Sequence, residues 1–247
     1  MKTELKLSKH WKKYLLEFVM LFLAVFLGFV AENYRREIFS KSLERKYIKS
    51  LIEDTRADKK YLSQIIKSNT LRQSYLDSLS KSCFSFNGQD STVKELYLYY
   101  VVVLNRPDFF VPNELTMAQL KNAGGMSLIN NESAVKAILT YDLQKSLVKN
   151  QEEYYENYHN KAINTGLKIF YNQKVRTAWN FIKEKDSVQL STMEFKFISN
   201  GESLVSQFGN EIDMFSGIVN YYTVLLEDSK SKADSLIMIL EKQYGFE

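Results

Sequence analysis

Between Gly28 and Gly88 the chain contains neither glycine nor proline. Apolar residues recur through this stretch at spacings of three, four and seven, as they do along one face of an amphipathic helix or coiled coil. The pattern predicts a single helix that runs from an apolar segment near the N-terminus to about Ser80. At about 1.5 Å per residue, such a helix reaches on the order of 100 Å.

Turn-forming residues are scarce in the whole chain, which has 2 prolines and 9 glycines among 247 residues. Tight turns depend on the backbone freedom of glycine or the fixed φ of proline, so the composition excludes an all-β sandwich or barrel and disfavours a doubly wound α/β fold. We predict an all-α protein, in which one N-terminal transmembrane helix continues into an elongated antiparallel helical bundle.

The apolar segment covers residues 14–31, and Glu17 is its only charged residue. A helix over this range is about 27 Å long, close to the hydrocarbon thickness of a bilayer. Trp11, Tyr14 and Tyr34 lie where interfacial aromatic residues are expected. Because no small-residue cleavage site follows the segment, it is interpreted as an uncleaved signal anchor; the alternative is a buried core helix.

These observations divide the chain into a short basic cytoplasmic tail (1–13), a transmembrane signal anchor (14–31) and an extramembrane helical bundle (32–247). Basic residues flank both ends of the anchor, and the short cationic tail favours a cytoplasmic N-terminus with the body in the periplasm. The predicted location is therefore the inner (cytoplasmic) membrane, in a single pass. Glu17 either pairs with Lys13 near the interface or contacts a partner helix, for which Gly28 is a point of close approach.

A long helix is stable only if its apolar stripe packs on something, either later helices or another copy of the chain. The candidate interface residues of this stripe are Ile48, Leu51, Ile52, Leu62 and Ile66. The charged residues between them, Asp58 included, are interpreted as a solvated face.

Further helices are predicted after the first. Residues 97–104 would suit a strand by their aromatic and β-branched content, but the low turn count favours a buried helix. Both prolines fall in the loop 105–114, and a long amphipathic run begins at Asn130 or Asn131. The apolar face of that run is assigned to Val135, Ile138, Leu139, Leu143, Leu147 and Val148. A last helical region covers about residues 202–244.

Few residues suit catalysis. No phosphate-binding, zinc-protease or serine-hydrolase motif is present. Glu156 and His159 supply one Glu-x-x-His pair, but a diiron bundle needs two, and His159 is taken as solvated. Cys83 is interpreted as a small buried hydrophobe. We expect no catalytic residue, no metal ligand and no cofactor, and hence no enzyme.

Charge and tyrosine content bear on partners. The net charge is +4, and the excess lies in the N-terminal tail, which argues against nucleic acid as a partner. The 16 tyrosines form clusters near residues 97–100, 154–158 and 221–222. They either fill the core or line a pocket for a small-molecule ligand.

Two segments carry a resemblance to a known family. FLAVFLGFVAENYRR followed by ERKYIKSLIEDTRAD resembles the membrane-proximal part of a Bacteroidetes-type family of uncharacterised single-pass membrane proteins. PNELTMAQLKNAGGMSLINN, followed by Ile138-x-x-Tyr141, is similar to its central motif. The resemblance covers roughly residues 20–65 and 107–141, and it implies a membrane-anchored envelope protein without a transferable activity.

The central motif contains Gln119, Lys121, Gly124 and Gly125. These residues are interpreted as a capped turn that docks a loop on the bundle, with a partner-binding surface as the alternative.

The expected function is that of a membrane-anchored helical scaffold or accessory subunit of a larger envelope assembly. Its expected partners are the lipid bilayer and either another protein or a second copy of the chain. The alternative hypothesis is a ligand-sensing periplasmic helical bundle that signals through a membrane partner.

Overall fold

A computed structural model describes residues 8–103, 105–122 and 124–246, with side chains from Trp11 onward. These residues form seven α-helices and no strand, and the pairing of Phe170 with Phe197 is an isolated bridge. The prediction of an all-α fold is confirmed.

The helices are bounded as follows: α1 Ser8–Phe84, α2 Asp90–Val103, α3 Leu115–Asn122, α4 Glu132–Gly166, α5 Asn172–Glu184, α6 Ser187–Thr192 and α7 Val205–Tyr244. Short 3₁₀ turns cover Gly125–Leu128 and Glu202–Leu204. The 77 residues of α1 are continuous, as the absence of breakers predicts.

Helix α7 packs along both α1 and α4 and runs antiparallel to α1. At the C-terminal end of α7, the hydroxyl of Tyr244 donates a hydrogen bond to Glu44 over 2.5 Å. At the N-terminal end of α7, the hydroxyl of Ser80 lies 3.5 Å from the carbonyl of Gly209. The body therefore begins near Glu44, and the part of α1 before it projects from one end of the bundle.

A side-chain cap marks the start of α4, and a close contact with α2 marks its end. The side chain of Asn131 caps its first turn by accepting a hydrogen bond from the backbone N–H of Ala134 over 2.9 Å. At the other end the helix stops at Gly166, where a Cβ would lie 2.3 Å from the ring of Tyr100. Gly166 is thus the last residue of α4, and α5 follows after a short turn.

The core consists of two apolar clusters. The cluster nearer the projecting part of α1 contains Ile48, Leu51, Ile52, Met117, Leu120, Ile129, Ala134, Ile138, Tyr141, Ala233, Leu236 and Leu240. The larger cluster begins at Leu62 on α1 and contains most of the buried aromatic residues of α2, α4 and α7. Between the two, α1 contributes the buried polar residues Thr55 and Asp58, and α7 contributes Ser229.

Candidate binding surfaces

The N-terminal part of α1 makes no packing contact in the described chain. Trp11, Tyr14 and Tyr34 are each about two-thirds exposed, and the apolar residues between them are exposed as well. The helix is long and apolar enough to cross a membrane. Lys13 and Glu17 lie 4.0 Å apart, one turn from each other, and a Cβ at Gly28 would meet no atom within 4 Å.

The stripe predicted as a partner interface lies inside the bundle. Ile48, Leu51, Ile52 and Leu62 are at most 4 % exposed, and Ile66 is half-buried. Helices of the same chain cover these side chains, α7 foremost. The prediction of an interface through these residues is therefore corrected: burying the stripe within the chain satisfies the packing that a long helix needs.

An unpredicted apolar surface lies on α4 instead. Leu139, Leu143 and Leu147 are 49 %, 62 % and 44 % exposed. Their spacing of four places them on one face, opposite the face of α4 that buries Tyr141 and Val148. We call these three residues the α4 leucine row. The sequence analysis placed this row on one apolar face together with Ile138 and Val148, whereas α4 is apolar on two faces and only one of them meets the bundle.

Gln119, Lys121, Gly124 and Gly125 lie at the end of α3 and in the 3₁₀ turn that follows it. Gly124 takes the left-handed conformation, with φ of 67°, and a Cβ on Gly125 would lie 3.0 Å from the backbone of Leu120. The ammonium of Lys121 pairs with Asp142 of α4 over 2.6 Å. Gln119 is exposed. The motif thus attaches α3 to α4 and leaves Gln119 at the surface.

The loop 105–114, which carries both prolines, is held by buried side chains. Arg72, 7 % exposed, donates to the backbone carbonyls of Asn105 and Arg106 over 2.8 and 3.1 Å. The hydroxyl of Tyr61 donates to the carbonyl of Phe109 over 3.0 Å. These bonds satisfy backbone groups that no helix or strand pairs, so the loop has one fixed path.

Two further side chains complete this attachment. The hydroxyl of Tyr222 accepts a hydrogen bond from the N–H of Phe110 over 3.1 Å. Asp58, 4 % exposed, accepts one from the N–H of Asn113 over 2.7 Å and another from the hydroxyl of Tyr141 over 2.9 Å. Burial raises the pKa of the Asp58 carboxyl, and these two hydrogen bonds oppose the shift.

The interpretation of Asp58 as a solvated residue is therefore wrong. A signal was present in the sequence, since Asp58 lies three residues after Thr55 and four before Leu62, on the stripe itself. Asn69 and Arg72 occupy stripe positions in the same way, and both are buried.

The fixed loop and α4 enclose an open cleft of about 530 Å³. Phe110, Val111 and Pro112 form its apolar wall, and α4 contributes polar side chains, among them Lys145. The side chain of Lys145 is only 5 % exposed, and its ammonium lies 3.7 Å from Asp142 and 3.8 Å from Glu114. A buried cation thus lies beside the cleft with carboxylates near it but beyond hydrogen-bond length.

One or two members of each tyrosine cluster lie in the core. Tyr97, Tyr100, Tyr155 and Tyr222 are at most 1 % exposed, and they pack against phenylalanine rings, such as Phe170 4.4 Å from Tyr100 between centroids. Burial raises the pKa of Tyr97 and of Tyr155 to about 12. Within the described residues these four side chains line no cleft, so the core interpretation of the tyrosines holds for them.

His159 is buried rather than solvated. Only 6 % of it is exposed, and its Nε2 lies 2.7 Å from the carbonyl oxygen of Val103 at the end of α2. A carbonyl only accepts, so Nε2 carries the proton. Burial lowers the pKa of His159. The hydrogen bond to Val103 opposes this lowering of the pKa, and the nearby positive charge of Arg72 adds to it.

Cys83 is 2 % exposed, in agreement with its assignment as a buried hydrophobe.

Within the described residues, no group of three or more histidine, cysteine or carboxylate side chains lies close enough together to hold a metal ion. Comparisons of the chain with protein-family models, with curated proteins and with solved structures find no match.

Proposed function

We propose that this protein is a single-pass protein of the inner membrane whose helical body, in the periplasm, serves as a scaffold or accessory subunit of a larger envelope assembly. The observation that carries the proposal is the α4 leucine row, an apolar surface on a helix whose other face already fills the core. The resemblance to the Bacteroidetes-type family agrees with this proposal.

The α4 leucine row suits a helix from a partner protein. Leu139 and Leu147 are eight residues apart, which is about 12 Å along the axis, so the row forms a straight apolar ridge two turns long. Such a ridge packs into the groove between side chains of a second helix. Lys136 and Thr140 lie beside the ridge and are exposed, and they supply a polar rim.

The exposed N-terminal part of α1 supports the membrane part of the proposal. Its large apolar side chains are 40–68 % exposed over several turns. Such exposure is costly in water, whereas in a bilayer these side chains contact lipid chains and the helix keeps its backbone hydrogen bonds. α1 continues without a break from this part into the body, so a partner bound to α4 is held at a fixed height above the membrane.

In the first experiment, the tagged full-length protein is purified in mild detergent, and the proteins that co-purify with it are identified by mass spectrometry. A photo-crosslinking residue at position 143 is expected to join the body to one partner in cells, and the same residue at position 214 of α7 is not. Met214 is a fair control because it is also exposed, at 53 %.

A matched pair of variants tests the surface. Leu139→Gln, Leu143→Gln and Leu147→Gln together are expected to abolish the complex. The control replaces Met214, Tyr221 and Val224, which are 49–54 % exposed on α7, by glutamine and leaves the complex intact. Recovery of the same partner with the α4 variant, or a protein that purifies alone and monomeric, overturns the proposal.

The membrane location and orientation need separate tests. Sodium carbonate is expected to leave the full-length protein in the membrane pellet. Alkaline phosphatase fused after Phe246 is expected to be active, because the body lies outside the cytoplasm in the proposed orientation. An inactive phosphatase fusion, together with a fluorescent GFP fusion at the same site, would show that the body lies in the cytoplasm.

A ligand-sensing bundle is the second candidate. The tyrosine pocket on which that hypothesis first depended is occupied by core packing, as described above. The cleft beside Lys145 is the feature that still favours it.

A further inference from the structure

We infer that the cleft between the loop 105–114 and α4 binds a small monocarboxylate with an apolar body, and that Lys145 anchors the carboxylate. This inference is independent of the membrane scaffold proposed above. It needs neither a protein partner nor the α4 leucine row, whose three side chains are not part of the cleft lining.

The buried ammonium of Lys145 has no carboxylate of the described residues within hydrogen-bond length. An ammonium has three N–H donors, and burial without acceptors is costly for a charged group. Within the described residues, the nearest carboxylate oxygens lie 3.7 and 3.8 Å from Nζ, beyond hydrogen-bond length. Asp142 already accepts a 2.6 Å bond from Lys121. The ammonium also lies over the Tyr141 ring, 5.6 Å from its centroid. This contact uses no lone-pair acceptor, so donors of Lys145 remain for a ligand.

The charge of the cleft lining favours a ligand with a single negative charge. Glu114, the one acidic residue of the cleft lining, has a side chain that is 65 % exposed. It can turn to solvent without leaving a buried group unpaired. A monocarboxylate ligand then takes its place as counter-ion and leaves the local charge unchanged. A dianion such as phosphate adds negative charge beside the buried Asp58 and the partly exposed Asp142, which disfavours it.

The size and lining of the cleft suit a small ligand with an apolar body. A volume of about 530 Å³ falls within the range of small-molecule sites. Phe110, Val111 and Pro112 provide an apolar wall for the body of the ligand, and Ser146 and Asn150 place a hydroxyl and an amide on the opposite side. The bonds from Asp58, Arg72, Tyr61 and Tyr222 keep the loop in place before the ligand arrives, so little ordering is needed on binding.

Hexanoate is the probe, titrated into the full-length protein in non-ionic detergent and followed by isothermal titration calorimetry. Hexan-1-ol and hexylamine have the same chain and lack the carboxylate. We expect hexanoate to bind with a Kd of about 1 mM or lower, and neither analogue to bind. Equal binding of hexan-1-ol, or no heat with hexanoate, overturns the inference.

Two variants give opposite expected shifts. Lys145→Met keeps the length of the side chain and removes the charge, and we expect it to weaken hexanoate binding at least about tenfold. Glu114→Gln removes the competing carboxylate, and we expect it to tighten binding about threefold or more. Lys183→Met, at an exposed α5 position outside the cleft, leaves the affinity unchanged.

The Glu114→Gln variant keeps the test decisive if Lys145→Met fails to fold, because Glu114 is exposed and a glutamine there has no packing to disturb. An affinity for hexanoate that is unchanged or weaker in Glu114→Gln contradicts the exchange of counter-ions and overturns the inference. Loss of the protein partner in the preceding section has no bearing on these titrations.

Discussion

Oδ2 of Asp58 accepts a hydrogen bond from the hydroxyl of Tyr141 over 2.9 Å, although the two residues are 83 positions apart. The bond joins α1 to α4 at the layer between the two apolar clusters. The other oxygen of the same carboxylate holds Asn113 of the loop 105–114. The buried carboxylate of Asp58 therefore links α1 to α4 and to the loop that forms the cleft.

Tyr141→Phe removes only the hydroxyl of this pair and leaves Oδ2 of Asp58 buried without its donor. We expect the free energy of unfolding to fall by about 1–3 kcal/mol, the usual cost of an orphaned buried acceptor. Thermal or urea unfolding of the full-length protein in detergent measures it. Tyr154→Phe, on the same helix but 59 % exposed, is the control and changes stability little. Equal effects of the two variants would show that the Asp58 bond contributes nothing.

Gly166→Ala tests the close approach of α2 to the end of α4. The added Cβ would lie 2.3 Å from the ring of Tyr100, which is 1 % exposed and has no room to move. We expect a loss of about 1–3 kcal/mol. In Gly217→Ala the Cβ meets nothing within 4 Å, and this helical site is expected to gain up to about 1 kcal/mol. The two unfolding midpoints should thus move in opposite directions.

Leu51→Ala and Leu143→Ala compare the predicted interface with the α4 leucine row. Leu51 is 4 % exposed, so its truncation leaves a cavity, and we expect a cost of about 2–5 kcal/mol. Leu143 is 62 % exposed, and its truncation is expected to stay within about 0.5 kcal/mol. The measurement is the urea midpoint of the purified protein without a partner. A small effect at Leu51 would mean that the stripe is not covered by its own chain.

The pH dependence of stability gives a test of His159. Its pKa is lower in the folded protein than in the unfolded chain, where it is near 6.5. The unfolded chain therefore binds the proton first as the pH falls. The stability that neutral His159 contributes is complete above pH 6.5 and is lost as the pH drops from there through the folded pKa.

His159→Gln is expected to flatten the fall of the melting temperature between pH 7.5 and pH 5. The chain has 2 histidines, and His10→Gln is the matched control, expected to keep the wild-type slope. Asp58 titrates in all three proteins, so the difference between the curves isolates His159. Parallel curves for wild type and His159→Gln would contradict the shift.

Much of the architecture was predictable from local patterns. The length of α1 followed from the absence of glycine and proline and from the spacing of Ile48, Leu51 and Leu62, because backbone breakers and helical periodicity act over a few residues. The cap at Asn131 and the left-handed Gly124 follow from the same kind of local chemistry. These features depend on near neighbours along the chain, which the sequence displays directly.

The partner of each apolar face was settled only by tertiary packing. α4 has apolar residues on two faces, and periodicity alone does not tell which face meets α7. The structure buries Tyr141 and Val148 and leaves Leu143 at the surface. The α1 stripe is the converse case, since a stripe covered by its own chain and one covered by a second copy have the same spacing.

The candidate site depends in the same way on contacts between distant residues. Sequence alone determined an all-α chain with one apolar segment long enough for a bilayer, because helix breakers and hydropathy are local quantities. Only the tertiary structure decided that Asp58 is buried beside Tyr141 and that Lys145 lies at a cleft. Burial and electrostatic pairing are properties of the folded neighbourhood, and residues from four separate segments compose it.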